Sequence, residues 1–360
     1  MGAVVFNRAE IGRKNQVIFG VDGGGTNFRV RAYPLHTVHS PEKTEVFETR
    51  LKTADYTKIG DVVRDILDRT KALKFSVKAM SFGLAGAFNG NKVRMTNRPE
   101  WEEVDLNQIA EEFGIPYVAG VNDLEATAYG IVSGLTDGDV YTLNQGKIVE
   151  EMDEKPTLSV IAPGTGLGES IIVWNRNIRE YKPIPSEGGH SDFAPIDDLQ
   201  DGLLQYLRTK HHEGAVCYED VLSGDGLVDI WEYVTERYGL EKNLSIYNAA
   251  NRNEKATLIA QYATDNNDQA SRVALYTFIQ VLAAEASNLG LKSLSKGGVY
   301  IGGTGTSNLK FIQDNIEPFM NVFTWKRKQR GLVQDMPVRV ITKEDVNEYG
   351  AAYFVGRNVI

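Results

Sequence analysis

Two glycine-rich turns constrain this chain more than any other feature, because each joins a strand to a strand. FGVDGGGTNFRV occupies residues 19–30 and VIAPGTGLGESIIV residues 160–173. Val17–Val21 is a short apolar run and Phe28–Tyr33 alternates in strand fashion, so DGGGTN reads as the turn of a β-hairpin. The second stretch repeats the grammar, with TLSVIAP, the turn GTGLGES, then SIIVWN. Phosphate loops of the P-loop and dinucleotide kinds run instead from a strand into a helix, whose N-terminus receives the phosphate. No GxxxxGK[ST] occurs and the first turn holds no lysine, so the Walker reading fails. GGTGTS at 302–307 matches half of a dinucleotide fingerprint and precedes a helical segment, which alone is a weak signal.

What remains is a hairpin whose turn amides face a phosphate. Glycine admits φ > 0 and lets the backbone approach phosphate oxygens closely. Thr26 adds a hydroxyl donor, and Asp22 sits where a carboxylate could hold a hydrated Mg2+ beside the phosphates. A plain hairpin turn competes with this reading, since Asp and Gly are common turn residues. Three glycines exceed what a two-residue turn needs.

The two hairpins each open a mixed α/β region, which suggests two related lobes with a cleft between them. A length of 360 residues favours about two domains, expected as residues 1–133 plus 344–360 (a small α/β domain) and 134–343 (a large one). Amphipathic spacing predicts a helix in YTKIGDVVRDILDRTKAL, and further helices at 105–113, after Asn122-Asp123, and through most of 198–294. An acidic loop, GKIVEEMDEKP, separates the two passes. The long segment from Val273 to Leu289 reads as core or subunit contact.

A net charge of −9 disfavours a broad attraction to nucleic acid or an anionic membrane, so an anionic ligand must be held locally by backbone amides or a helix end. Cys217 is the single cysteine, which excludes an intramolecular disulfide and a cysteine-built zinc site. No apolar run approaches the roughly 18 residues of a membrane span, and the first residues lack the apolar core of a signal peptide. The expectation is a soluble cytoplasmic protein.

With these turns placed, the chain resembles the bacterial-type glucokinase family, within the sugar kinase, actin and Hsp70 group of folds. DGGGTNFRV looks like its first phosphate hairpin, MTN (95–97) with a following Trp its sugar-side loop, and VNDLEATAYGI the segment bearing its catalytic Asn-Asp pair. APGTGLG resembles the second phosphate hairpin, SEGGHSDFAP and YEDVLSGDGL two sugar-holding segments, and GGVYIGG the adenosine-side turn. The continuation GTGTSNLKF departs from the apolar or proline-containing run common in the family. The related ROK kinases carry a Cys-rich zinc motif that one cysteine cannot supply. ROK-type repressors need a DNA-binding module, for which the sixteen residues before Val17 are too few.

The resemblance implies a two-lobed actin-like (ribonuclease H-like) ATPase fold with a ligand cleft, and an ATP- and Mg2+-dependent kinase making glucose 6-phosphate. It implies Asp123 as catalytic base, and Asn97, Asn122, Asp123, Glu187, His190 and Glu219 on the sugar. Asp22, Gly23, Gly24, Gly25, Thr26, Asn27, Gly164, Thr165, Gly166, Gly302 and Gly303 would hold the nucleotide, with Asp22 on Mg2+ through water. Carboxylates, amides and imidazole suit hydroxyls that both donate and accept. Each residue has a plainer reading: Asp123 an N-cap, Glu219 a first-turn helix acid, His190 a structural histidine. A homodimer is implied. The rival activities are a kinase for another hexose or an N-acetylhexosamine, a non-catalytic sugar sensor, and an actin- or Hsp70-like ATPase.

Overall fold

The structure is a computed structural model describing residues 4–5, 15–38, 45–96, 98–148, 154–211, 214–265, 268–303 and 306–359. It divides into two compact units, residues 1–136 with 343–360, and residues 137–342. The first unit contains strands β1 (Val4–Val5), β2 (Gln16–Gly23), β3 (Asn27–Pro34), β4 (Phe47–Lys52), β5 (Ser76–Leu84), β6 (Phe88–Asn89), β7 (Lys92–Val93), β8 (Val104–Asp105) and β9 (Tyr117–Asn122). Its helices are α1 (Ile59–Thr70), α2 (Leu106–Phe113), α3 (Asp123–Val132) and the C-terminal helix Val346–Gly356. The second unit contains β10 (Val140–Asn144), β11 (Leu158–Pro163), β12 (Leu167–Asn175), β13 (Glu180–Ser186), β14 (Gly298–Ile301) and β15 (Val338–Ile341). Its helices are α4 (Asp198–His211), α5 (Gly224–Tyr238), α6 (Leu244–Tyr247), α7 (Arg252–Thr264), α8 (Gln269–Ser293), α9 (Thr306–Asp314), α10 (Ile316–Phe323) and α11 (Arg330–Gln334), so the C-terminal helix is α12.

In the first unit the main sheet runs β1-β4-β3-β2-β5-β9. Strands β2, β5 and β9 are parallel, and their register lines up Gly23, Leu84 and Asn122 at one end. Both faces of β2 are covered, which is why it reads as a continuous apolar run rather than an alternating one. Val17, Phe19 and Val21 join the core containing α1 and α2, while Ile18 joins the one containing Tyr349 and Val355 of α12. The small sheet β6-β7-β8 carries the segment that leads to Trp101, which lies parallel to Phe28 with ring centroids 6.2 Å apart. Such a ring pair adds roughly 0.5–1.5 kcal/mol beyond its burial.

In the second unit the sheet runs β10-β15-β14-β11-β12-β13, with α5, α7 and α8 forming its main apolar core. The long helix α8 buries Ala274, Leu275, Ile279, Leu282, Ala283 and Ala286 there, so the segment 273–289 is core. Strands β10 and β13 went unpredicted. Both prolines of β13, Pro183 and Pro185, are tolerated because the strand lies at a sheet edge, where one side needs no amide donors. The second glycine turn is shorter than GTGLGES, since β12 already begins at Leu167. Of the acidic loop 146–156, residues 149–153 lie outside the described residues.

Candidate active site

The first glycine turn is held from behind. Thr53 is fully buried, and its hydroxyl donates to the Gly24 carbonyl at 2.8 Å while its amide donates to the Thr26 carbonyl at 3.0 Å. The described peptides are trans, and a trans peptide points its N–H opposite to its C=O. Fixing the Gly24 carbonyl on Thr53 therefore turns the Gly25 N–H the other way, at the exposed tip formed by Gly25 and Thr26.

Asn122 and Asp123 stand where β9 passes into α3. Asn122 is the N-cap, its Oδ1 accepting the Leu124 amide at 3.0 Å, and its Nδ2 reaches the Gly86 carbonyl at 3.4 Å. Asp123 is the first helical residue and shares the Leu124 amide at 2.9 Å. Asp22 ends up in the same neighbourhood. Burial, and then the charge of Asp123, push its carboxyl up to about 6 against the opposing pull of Arg29. Asn347 of α12 approaches Asp22 Oδ1 at 3.5 Å and accepts the Thr127 hydroxyl at 2.5 Å. The Thr127 hydroxyl also lies 3.2 Å from the Asp123 carbonyl, so one side chain links the hairpin to α3.

The second unit repeats the device. The Gly224 amide, at the start of α5, donates to the Gly164 carbonyl at 2.9 Å, and Gly164 donates to the Gly166 carbonyl at 2.7 Å. By the same peptide geometry the Thr165 N–H faces away from α5. Glu219 Oε2 accepts the Leu167 amide at 2.8 Å, and the Glu219 amide donates to the Gly189 carbonyl at 2.9 Å. Two further bonds, Tyr218 to the Ser191 carbonyl and Phe193 to the Val216 carbonyl, zip residues 189–193 onto 216–219. That pairing gathers Glu187, His190 and Glu219. The side chains of Glu187 and His190 are 87% and 60% exposed, with Glu187 Oε2 and His190 Nε2 4.0 Å apart. Cys217 Sγ lies 3.9 Å from His190 Nδ1.

Beside this turn is a cavity of about 390 Å³ lined by Pro163, Gly164, Gly224, Leu227, Phe278, Gly303 and Asn308, among others. Gly303 has φ +67°, and a Cβ there would fall 2.1 Å from the Pro163 carbonyl oxygen, so the turn after β14 requires glycine at this position. Asn308 Oδ1 is buried without a hydrogen-bond partner among the described residues.

A family model described as glucokinase matches residues 20–358. A glucokinase of Nostoc sp. is 33% identical over 348 residues, which span 93% of this chain and 98% of that one. The chain belongs to the glucokinase family. Among solved structures, the glucokinase of Balamuthia mandrillaris in complex with glucose has a TM-score of 0.75 at 22% identity, covering 97% of this chain and 96% of its own. A ROK family glucokinase from Streptomyces griseus in complex with glucose and AMPPNP has a TM-score of 0.62 at 18% identity, covering 95% and 99%. The α/β fold is thus that of the sugar kinases, and the activity is that of a glucokinase-family phosphotransferase.

Within this family frame the first unit brings the Asp22–Asn27 turn together with Asn122 and Asp123, and the second brings 164–166 together with Glu187, His190, Glu219 and Gly302-Gly303. Asn97 lies outside the described residues. Two of the plainer readings are corrected. The cap of α3 is Asn122 rather than Asp123. Glu219 sits in a turn ahead of α5, which starts at Gly224, and so is not a first-turn acid. Sequence reading missed Thr53, whose role depends on a partner 29 residues away, and Asn347, which no local pattern marks.

Proposed function

We propose that the protein is an ATP-dependent glucokinase in which Asp123 accepts the proton of the glucose 6-hydroxyl as that oxygen attacks the γ-phosphorus of ATP, leaving glucose 6-phosphate and ADP. One observation carries the reading: Asp123 opens α3 beside Asp22, with Asn122 and Gly23 in register through β5. Phosphoryl transfer asks the protein mainly to align the partners, offset charge and take one proton. In this reading Asn97, Asn122, Glu187, His190 and Glu219 bind the sugar hydroxyls. The turns 22–27 and 164–166 donate amides to the phosphates.

The cavity at Gly303 falls within the range of small-molecule pockets, roughly 300–1,000 Å³, and the unpaired Asn308 acceptor suits an adenine amino group. Arg29 and Asp123 act on the Asp22 carboxyl with opposite signs, and a carboxylate beside the first glycine turn is an oxygen donor of the kind that fits Mg2+ held by Asp22 through water. When bound, that ion would supply positive charge to the phosphate oxygens. Among the described residues no helix is long and apolar enough to cross a membrane; a cytoplasmic location and a homodimer complete the proposal.

The test is coupled ADP release from ATP with glucose, mannose, fructose and N-acetylglucosamine as acceptors. The expected result is the highest kcat/KM with glucose. Preference for another sugar, or no sugar-dependent release, would overturn it.

A further inference from the structure

Beneath the Glu187–His190 turn lies a pair of buried carboxyls to which the transfer step assigns no task. Glu169 stands on β12, 2% exposed, and Glu285 on α8 is fully buried. Glu285 is well supplied with donors, from Asn288 Nδ2 at 2.8 Å, Lys292 Nζ at 3.1 Å and the Tyr218 hydroxyl. Tyr218 directly precedes Glu219, so this carboxylate supports the second sugar segment from below. Lys326, following α10, adds its charge near Glu285 and donates to Asn288 at 2.5 Å.

Glu169 has no such supply. Among the described residues its buried Oε1 has no hydrogen-bond partner, and its Oε2 lies so close under Gly188 that a Cβ there would be 2.1 Å away. Its neighbours across the sheet, Ile161 and Ser186, carry no charge. The charged groups acting on it are Glu285 and Lys292 of α8. Glu187 flanks the turn above but is exposed. Burial first, then the charge of Glu285, push the Glu169 carboxyl up from 4.5 to about 7, with Lys292 opposing. A neutral carboxyl tolerates a dry site lacking a donor far better than a carboxylate does.

We propose that Glu169 is a positioning residue of the hexose site: uncharged, it seats the Gly188–His190 turn so that Glu187 and His190 meet the sugar, and on ionising it unseats that turn. The carboxyl fills the space that a Cβ at 188 would take, and a charged Glu169 driven toward water presses on the turn above it. Because β12 begins at Leu167, the same strand joins this device to the second phosphate turn. The inference rests on the reading of Glu187 and His190 as glucose ligands.

Glucose affinity by calorimetry, together with glucose KM and kcat, from about pH 6 to about pH 8.5 tests it in the wild type, Glu169→Gln and Glu169→Ala. In the wild type, glucose Kd and KM should rise roughly threefold to tenfold over that range, with a smaller change in kcat. Glu169→Gln, isosteric and uncharged, should flatten both profiles at the low-pH value. Glu169→Ala should raise glucose KM at every pH by more than it lowers kcat. A Glu169→Gln protein whose profile tracks the wild type would overturn the proposal even if the alanine variant fails to fold. Wild-type protein that neither binds nor phosphorylates glucose would instead defeat the functional reading, and this inference with it.

Discussion

Glu348 on α12 is 2% exposed, and its buried Oε2 has no hydrogen-bond partner among the described residues. Burial and the charge of Asp22 push its carboxyl up from 4.5 to about 8, beyond the opposing pull of Arg31. The sign for stability follows. Above about pH 4.5 the unfolded chain has lost this proton while the folded chain keeps it, so rising pH favours unfolding until about pH 8 and has no further effect above that. Glu169 acts in the same direction up to about 7. Urea titrations should therefore show stability falling between about pH 5 and about pH 8, and Glu348→Gln should be the more stable protein at pH 8 by roughly 1–3 kcal/mol. An unchanged slope in that variant would count against the assignment. Asn122 works at the same scale. By taking the cap of α3 it lets Asp123 be removed without unwinding the helix, a substitution that would cost about 1 kcal/mol if Asp123 were the cap.

At the scale of elements, the first unit depends on α12 lying very close to β2 and α3. A Cβ on Gly20 would fall 1.8 Å from the Glu348 carbonyl oxygen, and one on Gly350 1.8 Å from that of Ala126. Gly350→Ala should destabilise the protein by about 2 kcal/mol or more through overpacking, visible as a lower melting temperature; an unchanged melt would mean that α12 sits farther out. Such closeness is invisible in the sequence, because the partners are more than 200 residues apart. What could be read locally was read: β2 and β3 around DGGGTN, β11 and β12 around the second turn, and α1, α5 and α8 from their apolar spacing. Strand β13 was missed because its two prolines argue against a strand until the sheet order puts it at an edge. The candidate site divides in the same way. The residues proposed to face the ligands stand in short motifs, whereas Thr53, Asn347 and Glu169 touch those motifs through long-range contacts that carry no local signature.

Across the whole molecule, each unit provides one glycine turn anchored by a backbone carbonyl, on Thr53 in one case and on the Gly224 amide in the other. Each also gathers its own polar side chains, Asn122 with Asp123 and Glu187 with His190 and Glu219. In the proposed reaction, aligning a nucleotide and a sugar accounts for all of these except Asp123, to which the proposal gives the proton. Asp123→Ala tests that role. Glucose-dependent kcat should fall roughly 10²- to 10⁴-fold, while the circular dichroism spectrum and melting temperature stay near wild type because Asn122 keeps the helix cap. A correctly folded Asp123→Ala protein that phosphorylates glucose at the wild-type kcat would contradict it.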